Sequence, residues 1–165
     1  MQLAYLAGGC FWCVEAIFQR VDGVTSVEPG YCNGSTSNPT YNQVCSGTTG
    51  HAEVVRVKFD EAQISFKGLL EIFFQIHDPT TLNKQGNDCG TQYRSAVFFI
   101  SKTQQSQAIG MINRLNKGAV TEVSELDVFY GAEDYHSDYF NNNANQPYCQ
   151  LIIAPKINKY FSNTK

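Results

Sequence analysis

Apolar positions in this chain follow two alternating periods, that of a strand and that of a helix. Residues 3–7 form a short apolar run, which predicts a strand, and the glycines at positions 8 and 9 allow a sharp turn after it. Apolar residues then recur at helical spacing, at Phe11, Val14, Phe18 and Val21. The pattern predicts a strand, a tight turn and a helix, with Cys10 on the turn.

Later segments repeat this interleaving of strands and helices. Strands are predicted at residues 24–31, 53–60, 96–100 and 120–130, and helices at residues 66–77, 104–117 and 132–140. The run at residues 96–100 is apolar throughout, which favours a central strand covered on both faces. Long polar loops occupy residues 30–50 and 78–93, and a flexible, asparagine-rich tail is predicted beyond residue 140. This order predicts an α+β layer fold with one mixed sheet and helices packed against it.

The composition fits a single domain spanning residues 1–165. Of these residues 42% are hydrophobic, and a chain of this length buries about 70% of its unfolded surface. The net charge of −3 and the pI near 5.5 argue against nucleic acid and anionic membranes as partners. There is no apolar run of about 18 residues, and the start of the chain lacks the charged leader of a signal peptide. We therefore expect a soluble, cytoplasmic protein that is a monomer.

The chain has six cysteines, at positions 10, 13, 32, 45, 89 and 149. An even number can indicate a disulfide framework, but such frameworks belong mostly to small secreted domains with little core. This chain has ample core material, so free thiols fit better. A structural zinc site would need a second close pair of ligands, and the three histidines form no metal-type pair. We expect no metal and no other cofactor.

Cys10 is the first candidate for chemistry. Unpaired backbone N–H groups at a helix start favour negative charge, so a thiol there should lose its proton more readily than a free thiol with a pKa of about 8.5. The helix field is worth about 0.3 to 2 kcal/mol, against about 1.36 kcal/mol per pKa unit, so a second group must complete the activation. The alternative is that Cys10 is a small buried apolar residue. Trp12 lies off the apolar stripe beside the thiol and suggests a partly open apolar cup.

Glu53 is the second candidate, because it shares the parity of the apolar residues in the strand at 53–60. There Val55, Val57 and Phe59 alternate with Arg56, Lys58 and Asp60. Burial would raise the pKa of Glu53 and make it a proton donor near neutrality. Alternatively, Glu53 lies one residue outside the strand and is solvated. Periodicity leaves both interpretations open.

Several blocks of sequence together carry a family resemblance. They are Gly8-Gly9-Cys10-Phe11-Trp12, Gly30-Tyr31, Asn38-Pro39-Thr40-Tyr41, Thr49-Gly50-His51-Ala52-Glu53, Asn83-Lys84-Gln85-Gly86-Asn87-Asp88, Gly90-Thr91-Gln92-Tyr93-Arg94-Ser95 and Ala132-Glu133-Asp134-Tyr135-His136. In this order the blocks resemble the motifs of peptide methionine sulfoxide reductases of type A. The resemblance extends from Gly8 to about Cys149, which is nearly the whole chain. Cys-Phe-Trp-Cys alone would be a weak signal.

The resemblance implies a split strand-helix-strand, ferredoxin-like core in two layers. It also implies reduction of the S epimer of methionine sulfoxide, free or in proteins. By motif, Cys10 is the nucleophile and Glu53 gives a proton to the sulfoxide oxygen. The resemblance further implies that Phe11 and Trp12 surround the substrate methyl group and that the oxygen is bound by Tyr41, Asp88 and Tyr93. It also implies that Cys149 is the resolving cysteine and that thioredoxin is the external reductant.

Cys13 departs from the family pattern, in which its position is often glycine. Residues three apart on a helix have Cβ atoms about 5 to 6 Å apart, whereas a disulfide needs about 3.5 to 4.5 Å. A disulfide between Cys10 and Cys13 would distort the first turn, so we expect Cys149 to react first with the oxidised Cys10. A relay from Cys149 to Cys13 remains open. The sequence assigns no role to Cys32, Cys45 or Cys89.

Two rival functions belong to different classes. One is a general thiol-disulfide oxidoreductase that uses Cys10 and Cys13, which would assign no task to Glu53. The other is a thiol-rich zinc or binding module without enzymatic activity. Reduction of insulin-type disulfides would favour the first rival, and stoichiometric zinc in purified protein would favour the second.

Overall fold

Eight strands and six α-helices make up residues 1–163, the part of the chain that this computed structural model describes. The last two residues of the predicted 1–165 domain lie outside the described residues. The strands are β1 (Gln2–Ala7), β2 (Val24–Cys32), β3 (Ala52–Phe59), β4 (Lys84–Gln85), β5 (Asp88–Cys89), β6 (Ala96–Phe99), β7 (Glu122–Glu125) and β8 (Tyr130–Gly131). The helices are α1 (Phe11–Phe18), α2 (Tyr41–Cys45), α3 (Phe66–Ile76), α4 (Lys102–Leu115), α5 (Tyr139–Asn142) and α6 (Ala154–Asn163).

One mixed sheet of six strands organises the molecule, in the order β7-β6-β1-β3-β2-β8. Strands β1 and β2 are both antiparallel to β3, which lies between them, and α1 connects β1 to β2. This is a split strand-helix-strand unit. Strands β6 and β7 pair in parallel at the far edge. The predicted α+β fold with a mixed sheet is confirmed.

Alternation along β3 separates the two faces of the sheet. Val55 and Val57 join the main core, to which α1, α3 and α4 contribute their apolar sides. Ala52 and Val54 belong to a smaller cluster on the opposite face. Because successive side chains of a strand point to opposite faces, Glu53 lies on the helix-covered face together with Val55. The strand thus directs a carboxyl toward α1.

The helices begin at residues that can cap them. The side chains of Ser65, Ser101 and Thr40 accept a backbone N–H at the starts of α3, α4 and α2. Helices α3 and α4 confirm the predictions at residues 66–77 and 104–117 within a few residues. Helix α2 falls inside the predicted loop at residues 30–50. None of the helices in the described residues is both long and apolar enough to span a membrane.

Two predictions about the C-terminal third are wrong. The continuous helix at residues 132–140 is instead a 3₁₀ turn, Asp134–His136, followed by α5, with Asp138 between them in the left-handed region at φ 57°. An α-helix does not continue through a residue in that conformation, so α5 starts anew after Asp138. The tail beyond residue 140 is helical, with a π-helical turn, Cys149–Ile153, that runs into α6. Cys149 is therefore packed in the fold rather than on a flexible tail.

Candidate active site

A tight turn between β1 and α1 holds Cys10. Gly9 has a φ of 92°, and a Cβ added there would lie 2.7 Å from the side chain of Gln85. Cys10 is the residue that precedes α1, and its carbonyl accepts the N–H of Cys13 at 3.1 Å. The predicted strand-to-helix turn is confirmed, and it places the thiol at the start of the helix.

Three thiols share one apolar cluster. Cys10 is 8% exposed, Cys13 is 4% exposed and Cys149 is fully buried, and all three pack with Ala16 and Ile153. No disulfide joins them, since all six cysteines of the chain are free thiols. The fold therefore brings the predicted nucleophile and both predicted resolving cysteines together.

The remaining cysteines lie apart from this cluster. Cys32 is buried on the other face of the sheet, while Cys45 and Cys89 are exposed. In the described part of the chain, no group of three or more histidine, cysteine or acidic side chains is arranged to hold a metal ion.

Burial dominates the ionisation of Cys10. It raises the pKa of the thiol, and the hydrogen bond with Cys13 and the charge of Glu53 raise it further. The pKa of Cys13 is lowered, chiefly because its sulfur accepts a hydrogen bond from the Cys10 thiol. The expectation that the helix start makes Cys10 lose its proton readily is therefore wrong. The helix field is worth at most about 2 kcal/mol. Full burial of a charge shifts a pKa by up to about 3 to 5 units, or about 4 to 7 kcal/mol, so burial is the larger effect.

Glu53 lies against the first turn of α1. Its Oε1 accepts the N–H of Phe11 at 3.1 Å, while Oε2 is buried and has no hydrogen-bond partner among the described residues. Only 1% of the residue is exposed. Burial raises the pKa of Glu53 to about 8, although the Phe11 N–H lowers it. The structure thus decides between the two interpretations of Glu53, which is a buried carboxyl that carries a proton at pH 7.

Two tyrosines from different elements adjoin this carboxyl. Tyr41 begins α2, and Tyr93 ends the 3₁₀ turn Thr91–Tyr93. Burial raises the pKa of both phenols, and the charge of Glu53 raises it further in each case. For Tyr93 the charge of Cys10 adds to the effect. Both phenols therefore stay protonated and can donate hydrogen bonds near Cys10 and Glu53.

A cavity of about 240 Å³ opens beside the thiols. Its lining comes from α1, from the loop around β5 and from the C-terminal segment, and includes Cys10, Cys13, Gln85, Asp88, Tyr148 and Lys156. The hydroxyl of Tyr148 donates to Asp88 Oδ2 at 2.9 Å and lies 3.8 Å from the sulfur of Cys13. Asp88 is therefore at the site, but its carboxylate is bonded to Tyr148.

A second, aromatic wall packs against the thiol cluster, but the rings of Phe11, Trp12, Tyr41 and Tyr139 do not line this cavity. The ring of Trp12 stacks on Tyr139 at 3.8 Å and 7°, and its Nε1 donates to His136 Nδ1 at 3.0 Å. Phe11 is 1% exposed and stacks on Tyr41 at 6.3 Å and 19°. Trp12 is only partly buried, as are Tyr41 and Tyr139, so these rings keep surface for a ligand, whereas Phe11 does not.

Comparison with known proteins agrees with this geometry. A family model described as peptide methionine sulfoxide reductase matches residues 2–165. The chain belongs to the peptide methionine sulfoxide reductase family. It is 65% identical over 162 residues to the peptide methionine sulfoxide reductase MsrA of Vesicomyosocius okutanii, across 98% of this chain and 99% of that protein. The resemblance found in the sequence blocks is confirmed.

Solved structures of the family have the same fold. The reduced form of Mxr1 from Saccharomyces cerevisiae superposes with a TM-score of 0.85 at 34% identity, across 90% of this chain and 88% of that chain. Mxr1 has also been solved in complex with Trx2. That structure matches with a TM-score of 0.60 at 25% identity, across 82% of this chain and 83% of that chain.

Sequence reasoning gave no role to four residues of the reductase site, although Glu133 and His136 stand in one of the motif blocks. His136 and Tyr139 contact Trp12, Tyr148 contacts Asp88, and Glu133 accepts the N–H of Tyr41 at 2.9 Å. The sequence of residues 132–140 did give a signal, but it predicted one continuous helix. The left-handed Asp138 interrupts that helix and turns Tyr139 onto Trp12 instead.

Proposed function

We propose that this reductase uses Cys10 as nucleophile and Glu53 as general acid to reduce the S epimer of methionine sulfoxide, free or in proteins. One observation carries the proposal. The protonated Glu53 is bonded to the N–H of the residue after Cys10, and its second oxygen has no partner among the described residues. A sulfoxide oxygen is a poor leaving group until it is protonated, so the reaction needs an acid beside the nucleophile.

The reaction balances with the protons of these two groups. The sulfur of Cys10 attacks the sulfoxide sulfur while Glu53 gives its proton to the departing oxygen, and the carboxylate then regains the proton that the thiol gives up. A bond forms between the Cys10 sulfur and the sulfoxide sulfur, whose oxygen becomes a hydroxyl. This sulfur–sulfur bond and the sulfur–oxygen bond of the substrate then break as the hydroxyl is transferred to the Cys10 sulfur. The products are methionine and a Cys10 sulfenic acid. The thiol is oxidised and the sulfoxide is reduced.

The binding residues divide into two sets. Phe11 and Trp12 enclose the methyl group of the substrate on the aromatic wall. Tyr41 and Tyr93 donate hydrogen bonds to the oxygen, and Asp88 supports the same polar side. The position of both phenols supports these roles, since each tyrosine is only half-buried and is influenced by the charge of Glu53, although the Tyr41 hydroxyl also bonds the side chain of Cys45.

A second thiol completes the cycle. Cys149 condenses with the Cys10 sulfenic acid, which releases water and forms a disulfide between Cys10 and Cys149. Cys13 then attacks the Cys149 sulfur, which frees Cys10 and leaves a disulfide between Cys13 and Cys149. A dithiol of the thioredoxin class then reduces it, as the complex of the related Mxr1 with Trx2 supports. The protein acts as a monomer in the cytoplasm, where free thiols such as these six are stable.

An assay without reductant tests the proposal. Wild-type protein should form about two methionines per chain from the S epimer, because exchange with Cys13 frees Cys10 to react once more, and none from the R epimer. Cys10→Ser should form none, and Cys89→Ser, which removes an exposed thiol, should match the wild type. Turnover by Cys10→Ser would refute the nucleophile assignment. Efficient reduction of insulin disulfides without sulfoxide turnover would favour the general oxidoreductase instead.

A further inference from the structure

A second buried carboxyl, Glu15, has no part in the proposed reaction. It lies on α1 one turn after Trp12 and is 1% exposed. Glutamate is rarely buried so completely without a partner that stabilises its charge. The contacts of Glu15 therefore indicate what its burial achieves.

Both oxygens of Glu15 bind backbone N–H groups of the segment before α5. Oε2 accepts the N–H of Asp138 at 3.0 Å, and Oε1 accepts the N–H of Tyr139 at 3.4 Å. Asp138 is a non-glycine residue in the left-handed region, which is unfavourable without support from its surroundings. The carboxyl supplies that support from the neighbouring helix. Gln19, one turn further along α1, adds a hydrogen bond from its side chain to Asp138 Oδ1 at 3.0 Å.

The segment held in this way carries the ring that covers Trp12. Tyr139 stacks on Trp12 almost in parallel, at 3.8 Å between ring centres. Without the turn at Asp138, α5 would begin elsewhere and the phenol ring would not face the indole. Glu15 and Trp12 lie on the same side of α1, so a single helix presents both the indole and the carboxyl that fixes its partner.

We propose that Glu15 is a positioning residue that holds Tyr139 flat against Trp12 and thereby shapes the aromatic wall for the substrate methyl group. The inference rests on the proposed role of Trp12 in substrate binding. Glu15 touches no reacting atom in this account, so it should affect how tightly the sulfoxide binds more than how fast the bound sulfoxide reacts.

The ionised form of Glu15 is the stronger acceptor for the two N–H groups. Burial raises the pKa of Glu15 to about 7, whereas the N–H groups of Asp138 and Tyr139 lower it and the Asp138 carboxylate raises it. At pH 8 the carboxylate form predominates. Glu15→Gln keeps the size of the side chain but replaces the charged acceptor with a neutral one, so it weakens the hold on Tyr139 without creating a cavity.

The test is the concentration dependence of single-turnover reduction of the S epimer of methionine sulfoxide at pH 8. Glu15→Gln should raise the half-saturating concentration roughly fivefold, because a hydrogen bond to a charged acceptor is about 1 kcal/mol stronger than one to a neutral acceptor. Its maximal rate should stay within about twofold of wild type, because the reacting groups are untouched. Glu61→Gln, the same change at an exposed carboxyl, should behave as wild type. A lower maximal rate with unchanged half-saturation would overturn the proposal.

Trp12 provides a second readout, independent of activity, because it is the only tryptophan in the chain. Its fluorescence emission should shift to longer wavelength in Glu15→Gln, since the indole loses its stacked ring and gains contact with water. An unchanged emission spectrum would contradict the proposed coupling. A role limited to stability would lower the midpoint of thermal unfolding without moving this spectrum in the folded protein.

A double-mutant cycle with Tyr139→Ala separates this inference from general damage to the fold. If Glu15 acts through Tyr139, the two substitutions together should raise the half-saturating concentration no more than Tyr139→Ala alone. Additive effects would overturn the inference. Trp12→Ala separates it from the proposed function. If Trp12→Ala leaves the half-saturating concentration unchanged, the role of Trp12 is refuted and the inference with it. If Trp12→Ala raises the half-saturating concentration but Glu15→Gln does not, the inference alone is refuted.

Discussion

Glu53 shows how one residue obtains its chemistry from two opposing effects. Burial disfavours the carboxylate, while the hydrogen bond from the Phe11 N–H favours it. Burial is the larger effect, so the pKa rises to about 8 rather than falling. One oxygen is held in place by the Phe11 N–H, and the other has no hydrogen-bond partner among the described residues.

Replacement of Glu53 by glutamine tests its role as acid at constant size. Glu53→Gln should lower the single-turnover rate of sulfoxide reduction by about 10² to 10⁴-fold, the usual contribution of a general acid. Binding of the sulfoxide should change little, because the amide can still occupy the same space. A loss of less than about tenfold would mean that Glu53 is structural.

The pattern along the chain indicated which face of β3 carries Glu53, but it left the burial of this residue undecided. Parity identifies a face, whereas burial at the first residues of a strand depends on what packs there. The deciding contact joins residues 42 positions apart, Phe11 and Glu53. For the same reason the pKa of Cys10 could not be derived from its place at the helix start, since burial by distant residues outweighs the helix field.

The C-terminal segment shows the same limit for whole elements. Its polar, asparagine-rich composition predicted a flexible tail, yet it packs against α1 and carries Cys149 into the apolar cluster. The π-helical turn at Cys149–Ile153 has a weaker hydrogen-bond pattern than an α-helix, and such turns often occur at functional sites.

Disulfide mapping after one turnover without reductant tests which element resolves the sulfenic acid. We expect the first bond to join Cys10 and Cys149, because a bond to Cys13 would distort the first turn of α1. In Cys149→Ser, the Cys10 sulfenic acid should persist long enough to be trapped by dimedone. Early appearance of a Cys10–Cys13 disulfide in the wild type would overturn this order. Cys89→Ser, which removes an exposed thiol, is the matched control.

At the scale of the whole molecule, the sequence allowed more to be predicted than at the scale of single contacts. Strongly periodic segments such as α3 and α4 and the apolar strand β6 form where their patterns place them. The interleaving of strands and helices was sufficient to predict an α+β fold with one mixed sheet. The joins between elements, such as the left-handed Asp138, follow from packing partners that no local pattern contains.

The neutral acid beside Cys10 is a property of this folded molecule as a whole, because only the assembled sheet and α1 remove Glu53 from water. In the unfolded chain its pKa should return to about 4.3. Because the folded pKa is raised, the carboxyl keeps its proton below pH 8 and loses it as the pH rises through that value.

The most direct test is ¹³C NMR titration of glutamate carboxyls in the folded, reduced protein, with the Glu53 signal assigned by its absence in Glu53→Gln. Glu53 should titrate near pH 8 in the folded protein and near pH 4.3, about the model-peptide value, in urea. A folded-state Glu53 that is already ionised at pH 5 would contradict the account, because no proton would then be available for the sulfoxide oxygen.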